Sequence, residues 1–152
     1  MSLANGIYII QTKPQDEKRH VGRFPIEDLS LLPKQLFALP LGVEAPKFII
    51  EKSDKGYKVK AHGAPTGVHR DTLFAFLIEL EAPEDWVITA QPQHGENIYT
   101  VERQDRKGGW VVDHEEGHRG LEIKIRPLIS TRSLPPQFPP NELFTFIRLD
   151  RD

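Results

Sequence analysis

The chain contains no cysteine. That excludes a disulfide framework, thiol catalysis and thiolate metal sites together. It also lacks any apolar run near the roughly 20 residues that a membrane-spanning helix needs. Neither sign of charge dominates: 20 Lys and Arg stand against 22 Asp and Glu, a net charge of −2. Nucleic-acid binders usually carry a basic excess, so neither nucleic acid nor a membrane is expected as a partner. The opening Met-Ser-Leu-Ala-Asn-Gly has no basic or apolar leader region, which predicts a cytoplasmic protein. No Gly-x-Gly-x-x-Gly, P-loop, Gly-x-Ser-x-Gly or EF-hand pattern occurs, and no cofactor is expected. Nothing in the sequence calls for an oligomer, so a monomer is expected.

What the chain does have is turns. Its 152 residues include 11 Gly and 13 Pro, and that length suits one domain over residues 1–152 with a core of its own. Apolar runs are short and alternate with polar residues. Tyr57, Val59 and Ala61 alternate with Lys58, Lys60 and His62; Leu121, Ile123 and Ile125 alternate with Glu122, Lys124 and Arg126. A period of two marks strands with one buried face. Turn signals at Ser53–Gly56, His94–Asn97, Arg106–Gly109 and Glu116–Gly117 separate them, so an all-β fold is expected. Thr72–Leu80 reads as a buried strand rather than a helix, because aromatic and branched residues dominate it. Ile26–Leu32 has room for one helical turn before Pro33.

A repeat underlies the strands. Tyr8, Tyr57 and Tyr99 each open a Tyr-x-Ile/Val run, at spacings of 49 and 42, with 61 on wrapping through the C-terminus. Ala45-Pro46-Lys47-Phe48-Ile49-Ile50 precedes the second, and Ala82-Pro83-Glu84-Asp85-Trp86-Val87-Ile88 the third. Phe144-Thr145-Phe146-Ile147 would precede the first if the ends met. Three units of about 50 residues, the last leading back into the first, describe a β-trefoil with a closed barrel, which leaves no sheet edge exposed. Gly6-Ile7-Tyr8-Ile9-Ile10, Trp86-Val87-Ile88 and the Phe144–Ile147 ending resemble the cysteine-free β-trefoil protease inhibitors of mushrooms. The resemblance implies an inhibitor rather than an enzyme.

The most unusual stretch is 127–140, which holds five of the 13 prolines and both Pro-Pro pairs. A long ordered loop between two strands is usually functional. Within it, Ser130-Thr131-Arg132-Ser133-Leu134-Pro135-Pro136-Gln137-Phe138 resembles the reactive loop of Bowman–Birk trypsin inhibitors. The match covers Thr131, Arg132, Ser133, Pro135, Pro136 and Gln137; Ser130 and Phe138 stand where that family has its disulfide. The resemblance implies that Arg132 enters the acidic pocket of a trypsin-like serine protease and that Ser133 follows the scissile bond. It also implies that one proline is cis. A guanidinium pairs a buried carboxylate through two parallel hydrogen bonds. Thr131 is placed to bond back across the loop, and Leu134 to fill an apolar subsite. Pro135 and Pro136 stiffen the chain. Without the disulfide, packing of Ile129 and Phe138 on the barrel has to supply the remaining rigidity.

Other readings stay open. Arg23, before Phe24-Pro25, is an alternative reactive residue; Lys34 and Arg70 are weaker ones, and Arg126 precedes a proline, which makes a poor scissile bond. The target can instead be a cysteine protease, or the trefoil a carbohydrate-binding lectin, although no repeated Gln-x-Trp pattern is present. His114-Glu115-Glu116-Gly117-His118 matches the zinc-protease pattern, but that chemistry needs a helix. Its strand-like flanks and Gly117 and Gly120 predict a hairpin turn and no metal. Carboxylates near Glu79, Glu81, Glu84 and Asp85 read as a solvated face, and Trp86 and Trp110 as core.

Overall fold

A computed structural model describes residues 3–13, 18–78 and 83–149. Among these residues twelve strands form one sheet. The first four are β1 (Gly6–Thr12), β2 (Val21–Arg23), β3 (Lys34–Ala38) and β4 (Phe48–Lys52). The next four are β5 (Tyr57–Ala61), β6 (Ala64–His69), β7 (Thr72–Ala75) and β8 (Val87–Ala90). The last are β9 (Ile98–Glu102), β10 (Gly109–Gly117), β11 (Gly120–Arg126) and β12 (Phe144–Arg148). They fall into three repeats of four. The last strand of each repeat pairs with the first of the next: β4 with β5, β8 with β9, and β12 with β1. The inner hairpins β2–β3, β6–β7 and β10–β11 meet where β3, β7 and β11 pair with one another. This is a trefoil-like all-β fold.

The core follows the repeat seen in the sequence. Tyr8, Tyr57 and Tyr99 lie in β1, β5 and β9 and are buried, and Phe48, Trp86 and Phe144 from the three repeats are fully buried beneath them. Trp110 sits between two of these rings, edge-on to Trp86 and to Phe144 with centroids 5.5 Å away in each case. Edge-to-face contact suits the aromatic quadrupole and adds to the burial of the rings themselves. The Trp86 indole N–H donates to Thr66 Oγ1 at 2.9 Å, so its one polar group is satisfied in the interior.

The expected closed barrel does not form. The strands run as an open path that ends at β10 on one side and β8 on the other. Where closure needs a ladder between β5 and β8, there is a single bridge, Tyr57 opposite Trp86. The two residues exchange backbone hydrogen bonds of 2.8 and 2.7 Å and the pairing stops there. The reason is local. β8 is only four residues long, and Pro83, in the segment leading to it, has no N–H to give to a ladder. The Trp86 peptide also presses on Gly56: a Cβ there would lie 2.3 Å from the Trp86 carbonyl oxygen. At the other end, β10 touches β9 through one pair, Gly109 opposite Glu102.

Three further expectations fare differently. The strand expected at Thr72–Leu80 is present only in its first half, as β7, Thr72–Ala75; Phe76, Leu77 and Ile78 lie beyond its end, and Glu79 and Leu80 lie outside the described residues, as does Glu81 of the expected carboxylate face. The helical turn expected at Ile26–Leu32 does not form. The Asp28 carboxylate and Ser30 hydroxyl take the local backbone N–H groups instead, which is how short polar side chains compete with a helix. The hairpin expected around His114–His118 is present, but its turn is confined to His118–Arg119. His114 lies on extended β10, so it and His118 do not share a helix face.

Candidate functional site

The longest connection after β1 leads from β11 to β12, residues 127–143, and carries only a short 3-10 turn at Pro140–Glu142. Its tip, Ile129 to Pro135, is exposed throughout. The base of the tip is closed by backbone and side chain together. The Thr131 N–H donates to the Gln137 carbonyl at 3.0 Å, and the Gln137 N–H donates to Thr131 Oγ1 at 2.9 Å. Two hydroxyls continue the series: Thr131 and Ser133 share a hydrogen bond of 2.6 Å, and the Ser133 hydroxyl donates to the Pro135 carbonyl at 3.0 Å. Because Ser133 donates onward, Thr131 is the donor in the pair they share. The Leu134–Pro135 peptide bond is cis, as the Bowman–Birk resemblance implies for one of the prolines.

Arg132 stands between the two linked hydroxyls and is exposed. No hydrogen bond, ion pair or ring contact engages its guanidinium among the described residues. Leu134 projects beside it at 96% exposure. Ser130 is exposed as well, at the position where the resembling loops have a cysteine.

Three contacts, two with the body and one within the connection itself, replace the missing disulfide. The Gln93 amide donates to the Pro136 carbonyl at 2.7 Å, and to Gln91 Oε1 at 2.9 Å. Gln91 in turn donates to Thr100 Oγ1 at 3.1 Å, inside β9. An amide chain therefore runs from the core strand to the loop. The Phe138 N–H donates to His94 Nε2 at 3.1 Å, and the two rings meet edge-on at 6.2 Å. Nε2 can accept only in a neutral ring, and burial of His94, with the Lys13 ammonium adding to it, holds its pKa below the usual histidine value. Lys13 itself donates to the His94 carbonyl at 3.0 Å. The third contact is Glu142, only 2% exposed, whose Oε2 accepts the Ile129 N–H at 2.8 Å. Burial pushes the Glu142 carboxyl above the usual carboxylate range.

The sequence reading gave Ile129 and Phe138 the task of packing the loop onto the barrel. Phe138 does so, half-buried against His94. Ile129 does not: it is 72% exposed, and its backbone rather than its side chain is held. Gln93, His94 and Glu142 were missed. His94 lay in a turn signal, but nothing local tied it to a residue 44 positions away.

The alternative reactive residue sits very differently. The Arg23 side chain is 11% exposed. Its Nε and Nη2 donate to the two Glu27 carboxylate oxygens at 3.0 and 2.6 Å, and Nη1 donates to the Ala61 carbonyl at 3.2 Å. Lys34 is buried and paired with Asp28, and Arg70 occupies a turn at φ 53°.

Comparison with known proteins agrees with this architecture. The family described as Peptidase inhibitor I66 matches residues 1–148. A "Serine protease inhibitor" of Lentinula edodes is 38% identical over 150 residues, covering 98% of this chain and all of its own. A proteinase inhibitor from Coprinopsis cinerea superposes with a TM-score of 0.88 at 37% identity, covering 97% of this chain and 100% of that one. A Macrolepiota procera ricin B-like lectin in complex with lactose superposes at a TM-score of 0.67, over 98% of this chain and all of its own. At 13% identity that likeness is one of fold alone.

Proposed function

The chain belongs to the peptidase inhibitor I66 family, a cysteine-free fungal family of serine protease inhibitors, and is an inhibitor rather than an enzyme; we propose that it blocks trypsin-type serine proteases through Arg132. The observation that carries this reading is an unpartnered, exposed guanidinium on a loop whose flanks are hydrogen-bonded to each other and to the body. A trypsin-type pocket ends in a carboxylate, and a guanidinium suits it through two parallel hydrogen bonds. Thr131 and Ser130 lie on the acyl side of the bond that follows Arg132; Ser133, Leu134 and Pro135 lie on the amine side.

Rigidity turns a substrate into an inhibitor. A loop already held in its bound shape avoids the ordering cost of association, about 0.5–1.5 kcal/mol for each immobilised side chain. If the protease serine takes the Arg132 acyl group, the Ser133 nitrogen leaves as an amine. The Ser133 hydroxyl is tied to Thr131 and to Pro135, so that amine stays beside the ester. Its return re-forms the peptide bond and releases the serine.

The test is Arg132→Glu in the full chain, titrated against trypsin. The variant is expected to keep its fold and lose trypsin binding by several kcal/mol, as a central anchor does. Undiminished inhibition would move the reactive residue elsewhere.

A further inference from the structure

Glu142 is 2% exposed, yet only one of its carboxylate oxygens has a partner. Oε2 accepts the Ile129 N–H at 2.8 Å. Oε1 is buried with no hydrogen-bond partner among the described residues, and no Lys or Arg among them pairs with the group. A carboxylate taken out of water loses its hydration, and a single backbone donor restores only part of that loss. An apolar side chain of similar size in such a place is often neutral or stabilising. Stability alone therefore does not account for a glutamate here, and a buried group left half-satisfied calls for another role.

Glu142 joins the two limbs of one connection. It lies in the 3-10 turn Pro140–Glu142, on the limb that leaves the tip. That turn is pinned to the body: the Asn141 amide donates to the Val112 carbonyl in β10 at 3.2 Å, and the carbonyl of Leu143, 1% exposed, accepts the Lys13 N–H at 3.2 Å. Ile129 lies on the limb that enters the tip, ahead of Arg132. No other hydrogen bond engages residues 127–130 among the described residues. The limbs are thus held by different groups. Gln93 and His94 hold the leaving limb at Pro136 and Phe138; Glu142 holds the entering one. We propose that Glu142 is a positioning residue for the bond after Arg132, keeping the acyl limb in place through the Ile129 N–H. This rests on Arg132 being the reactive residue. Once the bond is cut, the Ser133 amine can return only to an acyl carbon that has not swung away. Its attack re-forms the peptide bond, and the proton lost from nitrogen goes to the protease serine oxygen as that oxygen leaves. Thr131 and Gln137 tie the limbs near the tip. Glu142 ties them at the base, one residue outside Ser130, where the resembling loops have a cysteine.

The experiment compares the full-length protein with Glu142→Leu, Glu142→Gln and Arg132→Glu. Each is titrated against trypsin and melted, then incubated with catalytic trypsin while mass spectrometry follows cleavage after Arg132. Glu142→Leu is expected to keep or raise the thermal midpoint, while inhibition weakens about tenfold and cleavage after Arg132 quickens by about the same factor. Glu142→Gln keeps an oxygen for the Ile129 N–H and is expected to restore most of what leucine loses. A glutamate serving the fold alone predicts otherwise for leucine: a lower midpoint, with cleavage unchanged in the folded fraction. The proposal is overturned if Glu142→Leu inhibits and resists cleavage as the wild type does, if its midpoint falls in step with its inhibition, or if Glu142→Gln loses as much as Glu142→Leu. Arg132→Glu separates the two readings. If it still inhibits trypsin, the Arg132 reading fails and this one with it; if it loses inhibition while Glu142→Leu is unaffected, this one fails alone.

Discussion

Arg132 and Arg23 are the same side chain at two places in one small protein, one at the tip of a proline-rich loop and one at the end of β2, and they have opposite fates. Arg23 uses Nε, Nη1 and Nη2 on partners of this chain and is nearly buried. Arg132 donates to none among the described residues. The difference lies in what surrounds them. Glu27 is four residues from Arg23 and the Ala61 carbonyl is across the sheet, so the guanidinium is satisfied internally. Around Arg132 the neighbours are two hydroxyls that bond each other and proline carbonyls already taken by Ser133 and Gln93. A guanidinium is available to a partner only where the chain declines to use it.

The largest expected effect comes from truncating Arg132. Arg132→Ala should lose trypsin binding by about 4 kcal/mol or more, in the range of a dominant hot spot. Its thermal midpoint should stay near wild type, because a solvated side chain with no partner contributes little to stability. A parallel drop in melting temperature would mean that Arg132 is structural after all. Arg23→Ala should do the opposite. It leaves Glu27 partly buried without its partner, which costs about 2–3 kcal/mol of folding stability, less than the roughly 3–5 kcal/mol of a fully buried pair because the Glu27 side chain keeps 22% of its exposure. Trypsin inhibition by the folded fraction should be unchanged. Denaturant unfolding and enzyme titration on the same samples separate the two quantities; weakened inhibition without destabilisation would make Arg23 the better reactive residue.

This contrast also shows what a sequence can carry. The repeat was legible because the three tyrosines and the aromatic runs before them occupy corresponding strands, and a period of two fixes which face each presents. The failure of closure was not. It rests on the fit of Gly56 against the Trp86 carbonyl and on one short strand, neither of which has a pattern. The reactive loop was legible as a run of residue types, and Thr131 was expected to bond back across the loop; its partner, Gln137, is given by the structure. Its anchors were not legible. Gln93 lies 43 residues from Pro136 and His94 lies 44 from Phe138, and a side-chain hydrogen bond to a distant backbone leaves no local trace. Ile129 misled because an apolar residue beside a strand suggests packing, whereas here the held group is its N–H.

A smaller effect tests the hydroxyl series. Thr131→Val keeps the shape and removes the oxygen that accepts from Gln137 and donates to Ser133. The loop stays exposed, so water can satisfy the freed groups, and the loss is one of preorganisation. Trypsin inhibition should weaken by about 1–2 kcal/mol. Hydrolysis after Arg132 should speed up in the same variant, because the amine end is less well retained. Mass spectrometry of the inhibitor after long incubation with trypsin checks this. Intact wild type and intact variant in equal measure would mean that the hydroxyls do not guard the bond.

The smallest effect belongs to His94 and depends on pH. Its Nε2 accepts the Phe138 N–H and must be unprotonated to do so. Burial lowers its pKa in the folded protein below the value of 6.5 expected of an unperturbed histidine. The unfolded chain therefore takes up the proton first as pH falls, and stability contributed by the neutral ring is complete above about pH 6.5 and declines below it, through the lowered native value. His94→Gln replaces Nε2 with a side chain that can offer an amide oxygen to the same N–H and does not titrate. Between pH 7.5 and pH 5 the wild type should lose stability relative to this variant, by no more than the roughly 1 kcal/mol of one hydrogen bond. Exchange of the Phe138 amide, corrected for its intrinsic rate, should quicken over the same interval in the wild type alone. The β2–β3 loop, where Lys34 holds the Asp28 carboxyl well below the usual carboxylate range, should show no such change; parallel pH dependence in both loops would mean that global unfolding, not release of the His94 anchor, is being observed.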